Sequence, residues 1–340
     1  MKRILSGVQP SGKLHIGNYF GAIKQHIERQ NKGDAFYFIA DYHALTTLKE
    51  AEEKEAGVAA KTKGMTPRPA PQILRDNVRD VALDYLALGL DPAKATFFRQ
   101  SDVPEVNELA WIFSTLVGTG LLQRAHSYKD KVDKGITPSV GLLTYPILMA
   151  ADILIYRSHI VPVGKDQEQH LEMTRDIAGA FNHAYGEIFP IPEAAYNEAA
   201  VVPGTDGQKM SKSYGNTIEI FAEGKQLEKT VMGIVTDSAT VGEKLLPTDT
   251  LMSLYRLFEP TATPEEYAAG CVGYGDMKKK LHKKLDEYFA PFRERRKKLA
   301  RDPGVVEEAL AAGAKRAREV AQVTMRLVRE AVGMRERPVS

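Results

Sequence analysis

The sequence predicts an α/β fold, a doubly wound parallel sheet followed by an all-helical C-terminal domain. Short apolar runs alternate with amphipathic stretches through the first half of the 340 residues. One run, 35–40 (Ala-Phe-Tyr-Phe-Ile-Ala), is apolar throughout, as befits a strand buried on both faces. Beyond Gly215 helical periodicity continues with no strand-like run between.

In chain order, residues 2–8 read as a strand, followed by a Gly/Pro/Ser loop and a helix over 14–30. The second strand is 35–40. A helix over 72–88 stops at Gly89, with Asp91-Pro92 closing it. Residues 96–99 and 159–163 read as further strands. The Pro-rich, basic segment 61–71 reads as a loop. Later helices are predicted over 227–234, 251–258, 264–274, 277–299 and 305–332, so a catalytic domain is expected over 1–214 and a helical one over 215–340.

Hydrophobic residues make up 43% and charged residues 26%, as in globular proteins. No apolar run approaches the roughly 18 residues of a membrane helix. The opening Met-Lys-Arg-Ile-Leu is too short for the apolar region of a secretory signal. A single cysteine, Cys271, excludes an internal disulfide or a multi-cysteine metal centre. A cytosolic protein free of membrane is expected. Net charge is only +2, but basic residues crowd 278–301, which fits either a nucleic-acid footprint or a solvated helix face.

Three motifs carry chemistry. The first, Gly7-Val8-Gln9-Pro10-Ser11-Gly12-Lys13-Leu14-His15-Ile16-Gly17-Asn18, has nearly the spacing of a P-loop. However, Leu14 replaces the Mg²⁺-binding hydroxyl residue, and Pro10 lacks an N–H for phosphate. Instead His15 and Asn18, three apart at a helix start, can face one way, where anions are attracted. Gly17 would let a flat ring or sugar lie on the backbone. The second motif, Gly207-Gln208-Lys209-Met210-Ser211-Lys212-Ser213, offers two lysines on a Gly- and Ser-flanked loop able to neutralise a departing pyrophosphate. The third runs from Thr144 to Ile153, with Pro146 suited to the first turn of a helix. Tyr145, Met149 and Asp152 then share a face, a polarizable wall with one carboxylate. That carboxylate serves either to accept an indole N–H or to pair with an arginine such as Arg157.

Taken together and in order, Gly-Val-Gln-Pro-Ser-Gly, His-Ile-Gly-Asn-Tyr, Leu-Leu-Thr-Tyr-Pro, Met-Ala-Ala-Asp-Ile-Leu, Val-Pro-Val-Gly-Lys-Asp-Gln-Glu-Gln-His and Lys-Met-Ser-Lys-Ser resemble the bacterial-type tryptophanyl-tRNA synthetases along the whole chain. These are class I aminoacyl-tRNA synthetases. The resemblance implies a Rossmann-like sheet, ATP with Mg²⁺, L-tryptophan and tRNA(Trp) as substrates, a homodimer, and anticodon reading by the helical domain. It implies an ATP site of Gln9, Pro10, Ser11, Gly17, Asn18, Gly164, Lys165, Asp166, Val202, Lys209, Met210, Ser211, Lys212 and Ser213. It implies a tryptophan site of His43, Tyr145, Met149, Asp152, Val161, Val163 and Gln167, with Asp152 accepting the indole N–H. Catalysis would fall to His15, Asn18, Lys131 on the stretch 127–140, Lys209, Lys212 and Ser213, with no resident metal site. A tyrosyl-tRNA synthetase would have a different first loop, and a non-catalytic RNA- or tryptophan-binding paralogue would not need these residues intact. Some features depart from the usual pattern. Extra residues lie between Leu48 and Gln72, Tyr214-Gly215-Asn216 replaces Asp-Pro-Asn, and Leu5 replaces an aromatic near the ring.

Overall fold

The computed structural model describes residues 2–62, 64–133, 135, 137–164, 167–196, 201–237 and 246–334. The expected sheet is present. Among the described residues it has five parallel strands, β1 (Arg3–Val8), β2 (Asp34–Ile39), β3 (Thr96–Arg99), β4 (Ile160–Val163) and β5 (Glu193–Tyr196). Their order is β3-β2-β1-β4-β5. Leu5 stands beside Phe36, Phe36 beside Thr96, and Ile4 beside Ile160. The chain thus winds outward from β1 in one direction, then returns to build on its other side. Such a reversal opens a crevice beyond the carboxyl ends of the two strands that flank it, here β1 and β4. Four strands fall within a residue of the positions read from the sequence. β5 was not foreseen, because Glu-Ala-Ala-Tyr is short and carries no apolar alternation.

Strand alternation sends side chains to two separate cores. Ala35, Tyr37, Ile39 and Phe97 face one, with helices Ala70–Leu88 and Tyr274–Arg301 over them. Leu5, Phe36, Phe38 and Phe98 face the other, under helices Glu105–Ser114, Val140–Ile155 and Glu168–Tyr185. On the first face Tyr19 and Phe20 meet Phe258, Tyr288, Phe289 and Phe292 largely edge-on, with Tyr19 to Phe289 at 5.3 Å and Phe20 to Phe258 at 5.4 Å. Each such pair adds about 0.5–1.5 kcal/mol beyond burial. No described helix is long and apolar enough to cross a membrane.

Several boundaries differ from the sequence reading. The single helix expected over 14–30 is broken into Ile16–Asn18, a wider π turn Tyr19–Ile23, and Lys24–Arg29. At that turn the consecutive Tyr19 and Phe20 both enter the aromatic cluster. The helix expected over 264–274 stops at Ala268, since Gly270 takes a left-handed φ of 76°, and a new helix begins at Tyr274. Pro146 does not open its helix. Ser139 caps Val140–Ile155 by accepting from the Leu142 N–H (3.1 Å), which leaves Pro146 in the helix interior. The first turn was missed because Val-Gly-Leu-Leu has no helical period of its own.

Helix Pro303–Ala331 crosses from one core to the other. Val306 and Leu310 lie in the first, and Ala314, Ala317, Ala321, Met325 and Val328 in the second. Gly313 is the crossing point, where an added Cβ would sit 1.8 Å from the Phe97 carbonyl oxygen. Alanine is the better helix former by about 1 kcal/mol, but a backbone clash of this size outweighs that gain. Gly313→Ala is therefore expected to lower stability in denaturant unfolding by about 1–3 kcal/mol. An unchanged or raised midpoint would contradict this packing.

Candidate active site

A crevice of about 1340 Å³ opens beyond the carboxyl ends of β1 and β4. All three sequence motifs contribute to it. The first supplies Gly7, Val8, Gln9, His15, Gly17 and Asn18, the third Tyr145, Met149 and Asp152, and the second Lys209 and Met210. His43, Val161, Val163, Gly164, Gln167 and Val202 complete the part foreseen from sequence. Pro10, Ser11, Ser211, Lys212 and Ser213 are not among its walls. Lys165 and Asp166 lie outside the described residues, as does the side chain of Lys131 in helix His126–Asp133.

His15 caps the first helical turn. Its Nδ1 accepts from the Asn18 N–H (3.3 Å), while Asn18 Oδ1 accepts from the His15 N–H (3.1 Å). Burial, followed by the charge of Lys212, lowers the His15 pKa to about 4. At neutral pH the ring is therefore uncharged, and with Nδ1 accepting it carries its proton on Nε2. The anion-attracting helix end expected there is partly occupied, because the Ile16 N–H donates to the Ile218 carbonyl (3.0 Å). Gly17 allows the close fit behind it. A Cβ would stand 2.9 Å from His15 Nδ1 and 3.4 Å from Met210 Cβ.

The second motif is a tight loop closed on Asn216. Pro203 and Lys209 form a bridge, and the Met210 N–H donates to the Val202 carbonyl (2.9 Å). Gly207 turns the loop with a φ of 83°. The buried Asn216 amide donates to Asp206 Oδ1 (2.7 Å) and the Lys209 carbonyl (3.2 Å), and its oxygen accepts from the Ser211 N–H (2.8 Å). Sequence reasoning noted Asn216 only as the last residue of a tripeptide that departs from the usual pattern, yet this side chain organises the loop. The two lysines divide. Lys209 faces the crevice, whereas Lys212 Nζ donates to the Gly12 carbonyl (2.9 Å) and to Ser11 Oγ and its carbonyl (3.4 Å each), tying the second motif to the first. Burial lowers the Lys212 pKa to about 8, opposed by the charges of Asp84 and Glu219 and reinforced by that of Lys54.

Tyr145, Met149 and Asp152 share the crevice face, as their spacing predicts. Asp152 is 1% exposed, and Arg157 is not its partner. Gln100 Nε2 donates to both carboxylate oxygens (2.9 and 2.8 Å), and His43 Nε2 bonds Oδ2 (2.9 Å). The Tyr42 N–H donates to Gln100 Oε1 (3.0 Å), which fixes the amide with its nitrogen toward Asp152. Burial pushes the Asp152 pKa up, while His43 and Gln100 pull it down. Gln100 was missed from sequence; a polar residue directly after a buried strand was the available signal. His170, also missed, bonds through Nε2 to the Tyr145 hydroxyl. Phe38 was missed as well. It walls the crevice where Gly7 leaves room, since a Cβ on Gly7 would sit 2.6 Å from its ring. The whole is an apolar slot around one held carboxylate, open at one side to donors suited to a polyanion.

The basic run over 278–301 is largely consumed in the fold. Arg293 is buried against Asp286 and the Ala222 carbonyl, and Arg296 pairs with Asp80 and Asp84. Lys284 pairs with Glu259, and Lys297 with Glu223 and Glu294. Lys279, Lys283, Lys298 and Arg301 remain exposed.

A family model described as tRNA synthetases class I (W and Y) matches residues 1–57 and 55–290. The tryptophan–tRNA ligase of Rhodopirellula baltica is 51% identical over 339 residues, covering 98% of this chain and all of that protein. That of Fusobacterium nucleatum is 50% identical over 340 residues, 98% of each chain. The crystal structure of tryptophanyl-tRNA synthetase from Campylobacter jejuni complexed with ADP and tryptophan is similar with a TM-score of 0.85 and 45% identity, over 98% of this chain and 100% of that one. On the family match and on identities of this size over nearly its full length, the chain belongs to the class I tRNA synthetases for W and Y.

Proposed function

We infer that this chain is a tryptophan–tRNA ligase, activating L-tryptophan with ATP and passing it to tRNA(Trp). The observation that carries the reading is Asp152, a buried carboxylate aimed into an apolar slot and held by Gln100 and His43. Indole carries one N–H and no other polar group, so a charge-assisted bond to Asp152 would favour it over a ring lacking that donor by about 1.5–3 kcal/mol. Val161, Val163 and Met149 would pack on the ring, while Gln167 and the Tyr145 hydroxyl meet the amino acid's polar end. Gln9, Gly17, Asn18, Gly164, Val202 and Met210 would receive the nucleotide, with Pro10, Ser11, Lys165, Asp166, Ser211 and Ser213 assigned beside them.

A tryptophan carboxylate oxygen attacks the α-phosphorus, and the bond to the β-phosphate bridging oxygen breaks as pyrophosphate leaves. Neutral His15 offers its Nε2–H to the developing charge, and Lys209 offers a cation, with Lys212 and Lys131 assigned to the same task. Positioning and charge stabilisation suffice without a side-chain nucleophile. The 2′-hydroxyl of the terminal adenosine then takes the aminoacyl group, and AMP leaves. No group of three or more His, Cys, Asp or Glu able to hold a metal occurs among the described residues. Mg²⁺ is proposed to arrive with the triphosphate, as part of the substrate.

The helices beyond residue 215 are proposed as the tRNA-reading domain following the catalytic domain 1–214, with the exposed Lys298 and Arg301 offered to phosphates. A homodimer is proposed with them. Trp111, 69% exposed on helix Glu105–Ser114, supports it. A cytosolic location follows from the same reading.

In ATP–pyrophosphate exchange, Asp152→Ala is expected to raise KM for tryptophan roughly tenfold to a hundredfold while leaving KM for ATP nearly unchanged. An unchanged tryptophan KM would remove Asp152 from the specificity site. Lys212 is charged below its pKa of about 8 and neutral above it. The exchange rate should therefore fall as pH rises through 8, and Lys212→Arg should carry activity to higher pH. Identical alkaline limbs in both proteins would refute that role for Lys212.

A further inference from the structure

The residues between Leu48 and Gln72 do not form a detached loop. Helix Leu48–Ala59 leaves the crevice wall at Thr47, whose hydroxyl accepts from Gln9 Nε2 of the first motif (3.2 Å). About two turns further on, Lys54 Nζ donates to the backbone carbonyl of Lys212 in the second motif (3.3 Å). The opposite side of the helix is anchored to the sheet domain. Glu55 takes Arg68 in a two-pronged pair (2.8 Å each), and Arg68 also bonds Asp76 of helix Ala70–Leu88 (2.6 Å). Glu52 accepts from the Ala70 N–H, the first residue of that helix (2.8 Å).

Lys212 is thereby held at two points, its side chain by the Ser11–Gly12 turn and its carbonyl by Lys54. The contact is made to the Lys212 backbone and against the repulsion of the two ammonium groups. We propose that helix Leu48–Ala59 is a brace that keeps the second motif closed over the first, with Lys54 as the positioning residue that makes the contact. The proposal rests on the functional reading above, and deepens it. A loop less often closed presents the nucleotide-competent state less often, and the apparent KM for ATP rises by the same factor.

The test uses the full chain and three variants, Lys54→Ala, Lys54→Arg and Arg68→Ala, in ATP–pyrophosphate exchange with tryptophan. Lys54→Ala should raise KM for ATP about three- to tenfold, the scale of one net hydrogen bond. Its KM for tryptophan and its thermal midpoint should match the parent, and Lys54→Arg should restore most of the loss. Arg68→Ala should shift KM for ATP in the same direction, and the double alanine variant should be little worse than either alone. Parental ATP kinetics in Lys54→Ala would overturn the proposal, as would equal losses toward both substrates with a lowered midpoint. Tryptic cleavage after Lys212 reads the brace without activity and should be several-fold faster in Lys54→Ala. Absence of exchange in the parent chain together with that faster cleavage would reject the functional reading and keep the brace. Equal cleavage rates would reject the brace.

Discussion

The site depends on holding a carboxylate in place and aimed while almost no water reaches it. Burying an isolated carboxylate costs several kcal/mol and normally ends in its protonation. At Asp152 burial raises the pKa, and the Gln100 amide donating to both oxygens and His43 beside Oδ2 oppose that rise. Gln100 is itself held by the Tyr42 backbone. The residues come from the ends of β2 and β3 and from helix Val140–Ile155, so the sheet order is what brings them together. A different strand order would leave Asp152 without partners and the slot without a polar floor.

The side of the crevice proposed for the nucleotide obeys the complementary rule. Its donors stay available because the scaffolding bonds are made elsewhere. His15 spends Nδ1 on the Asn18 backbone and keeps Nε2–H. Asn216 satisfies the backbone of the second loop, the Lys209 carbonyl included, and leaves the Lys209 ammonium to the crevice. Glycine does the rest by absence, at Gly17 against His15 and at Gly204, where a Cβ would meet Asn216 at 2.3 Å.

Much of this was legible in the sequence. The strand at 35–40 announced itself by unbroken apolarity, and the spacing of Tyr145, Met149 and Asp152 placed them on one face before any coordinates. What escaped had a common physical cause. Gln100 and His170 act through contacts with residues 52 and 25 positions away, which no local period encodes. Pro146 was misplaced because proline marks a first turn only on average, and here the cap at Ser139 lies earlier. The basic run over 278–301 was ambiguous for a similar reason. Sequence counts charges, whereas the fold decides that Arg293 and Arg296 are consumed by Asp286, Asp80 and Asp84.

The central claim is that one held carboxylate selects an indole. It is tested most directly by ATP–pyrophosphate exchange in the absence of tRNA, run separately with each of the twenty amino acids. Exchange supported by tryptophan alone is the predicted result. Exchange with tyrosine at a comparable rate would contradict it, because the slot would then be reading a hydroxyl.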